Sequence, residues 1–261
     1  MKISNSIAIL ASAMVFATSS ANAGEMVEMM EVEEFDPGMS SLIDPVTGSV
    51  SVGYDSHYIF RGTNLGENAP WLGVDLSTPL GNGLTLDAGL WYVNSTSGSD
   101  ILPNTGANDE LDLYVSLGGT VGPVDIAVGY TAYLFPESRP DSSFRGNSEN
   151  EVGISFGTAI SIIDASFAYY YNWDSPIDNN YYELGLSTGI DLSDRTSLAF
   201  GVDVAFYGSN YSHTLVTASM PIVITQNAVI EPYIAYVWAD SIQGIPREDQ
   251  LFGGVSLNVS F

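Results

Sequence analysis

In "HYIFRG", residues 57–62, an imidazole and a guanidinium stand four positions apart. The chain holds six basic residues against 31 acids, so any positive group is conspicuous. In an extended strand side chains alternate between faces, which puts Asp55, His57 and Arg61 on one side and Tyr54, Tyr58 and Phe60 on the other. Asp55 with His57 offers two metal donors, but nothing nearby supplies a third. A hydrolase needs a nucleophile or activated water beside a histidine–acid pair. His57 and His213 are the only histidines, and no spacing marks a serine partner for either. No catalytic residue, metal or cofactor is therefore assigned. Arg61 is expected to enter an acidic lumen near the outer rim, in a two-pronged pair with a carboxylate.

Those carboxylates recur at regular intervals. Asp55, Asp75, Asp87, Asp112, Asp125, Glu151, Asp164, Glu183, Asp203 and Glu231 all fall on the polar face of segments with a period of two. In "GLTLDAGLWY" (83–92) Leu84, Leu86, Ala88 and Leu90 oppose Thr85, Asp87, Gly89 and Trp91. The same alternation runs through "ELDLYVSLG" and "TSLAFGVDVAFY". Twelve such segments begin near residues 49, 70, 83, 110, 123, 149, 162, 181, 196, 211, 227 and 249. Short links at "LGNG", "VGP" and "DLSDR" take turns with longer ones at 61–69, 95–109, 135–148 and 239–248. Up-and-down strands with short turns at one end and long loops at the other make a transmembrane antiparallel β-barrel. Pro221 and Pro232 interrupt the stretch 211–238 and leave ten strands as the alternative count.

With the apolar face toward lipid, the acids line the lumen and favour cations. Inward Tyr114, Tyr133, Tyr170 and Tyr233 narrow it. Tyr58, Trp71, Trp91, Tyr92, Tyr171, Trp173, Tyr181, Tyr182, Tyr207, Tyr236 and Trp238 collect at the long-loop ends, where an interfacial girdle belongs. The chain closes on "VSLNVSF", whose final Phe261 has the character of a signal for the barrel-assembly machinery.

The first 23 residues read as a signal peptide: Lys2, an apolar run too short to span a bilayer, then "ANA". Lys2 is the chain's one lysine, so the exported form is more acidic still. Nucleic acid is excluded as a partner, since phosphate binding requires lysine or arginine. Cysteine is absent, so no disulfide holds the fold. Residues 24–47 form an acidic periplasmic tail ahead of a barrel over 48–261.

The stretch "SVGYDSHYIFRGTNLGENAPWLGVDLS" resembles the opening of the bacterial Gcw_chp family, also labelled TorF-type porins. There a first strand ends in an aromatic–Arg–Gly turn and a proline begins the second strand. Tyr58, Phe60, Arg61, Gly62 and Pro70 match this pattern. The resemblance is sharp over residues 49–95 and implies an outer-membrane barrel and a pore of unstated substrate. The expected function is passive diffusion of small cations or neutral solutes across a Gram-negative-type outer membrane, with its lipids as surroundings. The alternatives are a plugged structural or adhesive barrel that binds a partner through its outer loops, and a lipid hydrolase.

Overall fold

A computed structural model describes residues 46–97, 109–136, 148–175 and 177–261. The signal peptide and nearly all of the acidic tail lie outside the described residues. β1 spans Thr47–Phe60, β2 Thr63–Gly81, β3 Leu84–Asn94, β4 Asp109–Val121 and β5 Val124–Leu134. β6 covers Ser148–Ile160, β7 Ile163–Asn172, β8 Asn180–Ser193 and β9 Thr196–Tyr207. β10 (Asn210–Ser219), the short β11 (Ile222–Thr225), β12 (Ala228–Ala239) and β13 (Gln250–Ser260) complete the chain. Each strand pairs antiparallel with the next, except that β10 and β11 share one place between β9 and β12, and β13 returns to β1, so the sheet is closed. Closure leaves no unpaired edge, the condition for a sheet surrounded by lipid.

Thirteen segments make twelve wall positions. β10 and β11 are one strand interrupted at Met220–Pro221, and both lie between β9 and β12. Proline lacks the ladder N–H, so pairing lapses there. Flanking bonds carry the wall across the gap: Met220 N donates to Pro232 O (3.0 Å) and Val223 N to Arg195 O (2.8 Å). The count of ten strands is thereby ruled out.

The outer face is apolar on every side. Val52, Leu72, Leu113, Val128, Leu184, Phe200, Ile234 and Val255 stand exposed on it. At one end the first and last strands zip together to the terminal residue, Phe261 N donating to Gly48 O at 2.9 Å. The short turns lie at this same end.

Two expectations fail at the other end. Residues 61–69 are no loop, since β2 begins at Thr63 and β1 turns into it through Arg61 and Gly62 alone. Both have positive φ (48° and 78°), as a two-residue hairpin of matching twist requires. The aromatic girdle is also smaller than expected. Tyr171, Trp173 and Trp238 are exposed, but Tyr58, Trp71, Tyr181 and Tyr207 are buried inside the barrel.

The face assignment can be checked on one strand. Val202→Arg should destabilise the barrel by about 2–4 kcal/mol near mid-bilayer. Asp203→Asn, one residue on and inward, should cost far less. Unfolding in lipid vesicles measures both.

Candidate functional site

The lumen is the candidate site, and a hairpin divides it. β2 is 19 residues long, well beyond the roughly 9–11 that cross a bilayer. The surplus leaves the wall: the β1–β2 ladder shifts register between Tyr58 and Ile59, and the tip then lies inside the barrel. Arg61 lies six positions beyond Asp55, about 20 Å of extended chain at ~3.3 Å per position, enough to reach the opposite wall.

Once inside, both faces of the hairpin are covered, and strict alternation stops predicting burial. Ile59 packs against Leu215, Ala235, Val237 and Phe252 on one flank. Tyr58, expected outside, packs with Ala69, Trp71 and Val93 on the other, and its hydroxyl donates to Glu110 at 2.9 Å. The Phe60 ring, also expected outside, meets Tyr133 edge-on at 5.7 Å.

Arg61 is thereby enclosed within the lumen. It is 4% exposed and binds Glu151 of β6 in a two-pronged pair, Nη1–Oε2 2.7 Å and Nη2–Oε1 2.8 Å. The Tyr181 ring lies 4.0 Å from its guanidinium carbon, and the Tyr170 ring 5.0 Å. Gly62 is fixed by space as well as by φ, since an added Cβ would come within 2.8 Å of His213 Cβ. His57 sits on the hairpin stem, 3.8 Å from Glu67 and 3.1 Å from Ser56 Oγ. Among the described residues no group of three or more histidines and acids is arranged to hold a metal.

The acids separate into two levels. Near the hairpin, Asp55, Asp112, Glu151, Glu183 and Asp203 are buried. Most are braced by a tyrosine hydroxyl: Tyr233 to Asp55 (2.7 Å), Tyr133 to Glu151 (3.1 Å) and Tyr181 to Glu183 (2.5 Å). Asp112 Oδ1 and Asp203 Oδ2 are enclosed without a hydrogen-bond partner. Toward the short-turn end Asp75 and Asp164 are exposed, and Asp87, Asp125 and Glu231 are half-buried, on the inward face of their strands. Tyr114 donates to Asp75 and Thr120 to Asp125 (2.6 Å). The outer half of the lumen is filled, and the inner half is an acid-lined, water-exposed cup. Phe261 takes no part in either, being 64% exposed at the lip of the seam.

Sequence reasoning missed Glu110 and Arg247. Glu110 shares a strand face with Asp112, a spacing of two that could have placed it. Arg247 lies in the β12–β13 connection, where no period operates. It is folded inward, donating to Ser212 Oγ at 2.8 Å, with the Tyr207 ring 5.6 Å away. Burial lowers its pKa from the ordinary arginine value, and Tyr207 and Tyr181 oppose that shift.

A closed antiparallel barrel with an apolar exterior and a polar interior defines the class of transmembrane β-barrels. Within it, this chain belongs to the family described as "Bacterial protein of unknown function (Gcw_chp)", whose model matches residues 41–221. No curated protein matches it by sequence. Its fold is similar to the COG4313 outer membrane channel from Pseudomonas putida F1, at 14% identity and a TM-score of 0.53, covering 87% of this chain and 100% of that one. The KdgM porin matches at 10% identity and a TM-score of 0.49, over 82% of this chain and 99% of that one. The NanC porin matches at 13% and 0.48, over 81% and 98%.

The hairpin anchor predicts a coupling. Glu151→Gln leaves a buried guanidinium without its counter-charge and should cost about 3–5 kcal/mol. The double substitution Arg61→Met/Glu151→Leu should cost much less than the two single losses added together. A double-mutant cycle on unfolding free energies reads this out.

Proposed function

We propose that this protein is an outer-membrane channel for small solutes that prefers cations, with the β1–β2 hairpin as its closing element. The observation that carries this reading is the inner cup. Asp87, Asp125 and Asp164 face water there, and no ion pair involves them among the described residues. An apolar-walled cavity lined by one sign of charge concentrates counter-ions and excludes co-ions. The likeness of fold to an outer membrane channel supports it. A signal peptide over residues 1–23 and a periplasmic tail up to residue 47 fit the same location, and Phe261 is proposed as the residue read by the assembly machinery.

The filled outer half favours a second reading, a permanently plugged barrel that acts through its outer loops. The two readings differ on whether the hairpin leaves the lumen. The chain has no cysteine, so a reversible tether can be added cleanly. Gly62→Cys with His213→Cys removes the ring an added Cβ would meet and leaves the two Cβ atoms a small backbone adjustment from disulfide range, and the strain of a side chain at the positive φ of residue 62 is common to the reduced and oxidised forms.

In planar bilayers the reduced pair should conduct and the oxidised pair should not. Equal conductance in both forms removes the hairpin as the gate. Silence of folded wild type and of the reduced pair establishes the plugged barrel. In a KCl gradient the open channel should show a reversal potential on the cation side, strongest at low salt. Neutralising Asp87, Asp125 and Asp164 together to Asn should shrink it, and anion selectivity in the wild type would overturn the role given to these acids.

A further inference from the structure

Arg247 is a buried cation that the channel reading does not use. The connection carrying it, residues 240–249, is pinned over the outer mouth. Ala239 N donates to Asp249 Oδ1 (3.1 Å), Ile242 and Ile245 exchange backbone bonds (3.1 and 2.9 Å), and the Ile242 side chain is buried beside Tyr181 and Tyr207. Arg247 itself is 6% exposed. Its Nη1 is taken by Ser212, while Nε and Nη2 are enclosed without a well-formed hydrogen bond, Tyr207 being the side chain that stands beside the guanidinium. In a chain with 31 acids, no carboxylate of the described residues comes within 4.0 Å of it. Even its neighbour Asp249 is turned to the backbone of Ala239.

Buried donors are satisfied as a rule, and an exception calls for a missing partner. Here the two unsatisfied atoms form one edge of a guanidinium. That edge presents two parallel N–H groups at the spacing of the two oxygens of a carboxylate. Arg61, whose carbonyl shares Ser212 Oγ with Arg247, has its charge already matched by Glu151. Nearby Glu183 is engaged by Tyr181. Tyr207, Tyr181, Ser212 and His213 lie around the guanidinium, and Ile242 and Ile177 pack against the two tyrosine rings.

The geometry points to a site at the outer mouth for a small monocarboxylate with an apolar body, held by the Nε–Nη2 edge of Arg247. Admission of the ligand requires the 240–249 connection to lift from Ser212 and Ala239, and its one β-bridge, Ile242–Ile245, lies within the segment and does not fasten it to the wall. The acid-lined cup below repels the same anion, so the site retains its ligand at the mouth and does not pass it inward. Binding of this kind is independent of conduction, and its test uses no current.

The test is titration calorimetry on the full-length folded barrel in detergent, with benzoate as probe. Benzoate should bind saturably at one site, and benzamide, which has the same ring without the charge, should not. Arg247→Gln should weaken benzoate at least tenfold, and Arg195→Gln, in the short turn between β8 and β9, should leave it unchanged. Arg247→Lys keeps the charge without the fork and should also weaken it, a check that holds if Arg247→Gln fails to fold. The site is overturned if wild type shows no saturable benzoate binding, or if Arg247 variants bind as tightly as wild type. Inorganic phosphate binding as well as benzoate would overturn the apolar body of the ligand.

Discussion

The pair between Arg61 and Glu151 holds a strand hairpin across the inside of a membrane barrel. Two-pronged geometry at 2.7 and 2.8 Å gives the attraction, and aromatic faces on three sides keep water away from it. A buried ion pair gains little net stability over an apolar substitute, because both ions must be desolvated. What it gives is position. A hairpin held by apolar contacts alone could settle at several depths along β6–β8, whereas a fork on one carboxylate admits one. Everything else in the outer half follows from that placement: the packing of Ile59 on one flank, of Tyr58 on the other, and the fit of Gly62 against His213.

A lumen of this width must accommodate that hairpin without opening voids. The wall does it with rings laid flat over glycines on the neighbouring strand. An added Cβ at Gly53 would collide with the Trp71 ring, one at Gly89 with Tyr114 and one at Gly254 with Tyr233. The hydroxyls of those tyrosines, and of Tyr133 and Tyr181, then reach carboxylates. Glycine, tyrosine and acid thus form one repeated device: space, filler and hydrogen-bond acceptor. Tyrosine supplies the donor that lysine supplies elsewhere, and lysine is missing from every described residue.

Much of this architecture was legible because a period of two is a property of the wall itself. Eleven of the twelve segment starts fall within two residues of the strand starts, β2 being the exception, and even the doubt around Pro221 coincided with a true interruption of the ladder. The same rule failed at Tyr58 and Phe60 for a physical reason. Alternation sorts lipid from lumen only while a strand separates the two, and past the register shift both faces of the hairpin are interior. Trp71 and Tyr207 were misread for a related cause: aromatic residues at strand ends suit an interface or a filled lumen equally, and composition does not say which. That Arg61 would seek a carboxylate followed from charge. That the carboxylate would be Glu151, on the far wall, needed the ring to be closed first. Arg247 left no mark, since irregular chain has no period to read.

The separation of the hairpin from its anchor along the chain has a kinetic meaning. Arg61 and Glu151 stand 90 positions apart in the chain, and the Arg61 carbonyl and Ser212 stand 151 apart. Neighbouring strands, by contrast, meet through connections of a few residues in most cases. Loop-closure entropy favours the near contacts first, so the hairpin has nowhere to dock until the far strands have been laid down. The last event in maturation is then a local one: a ring already sealed against lipid, still hollow, swallowing its own first turn.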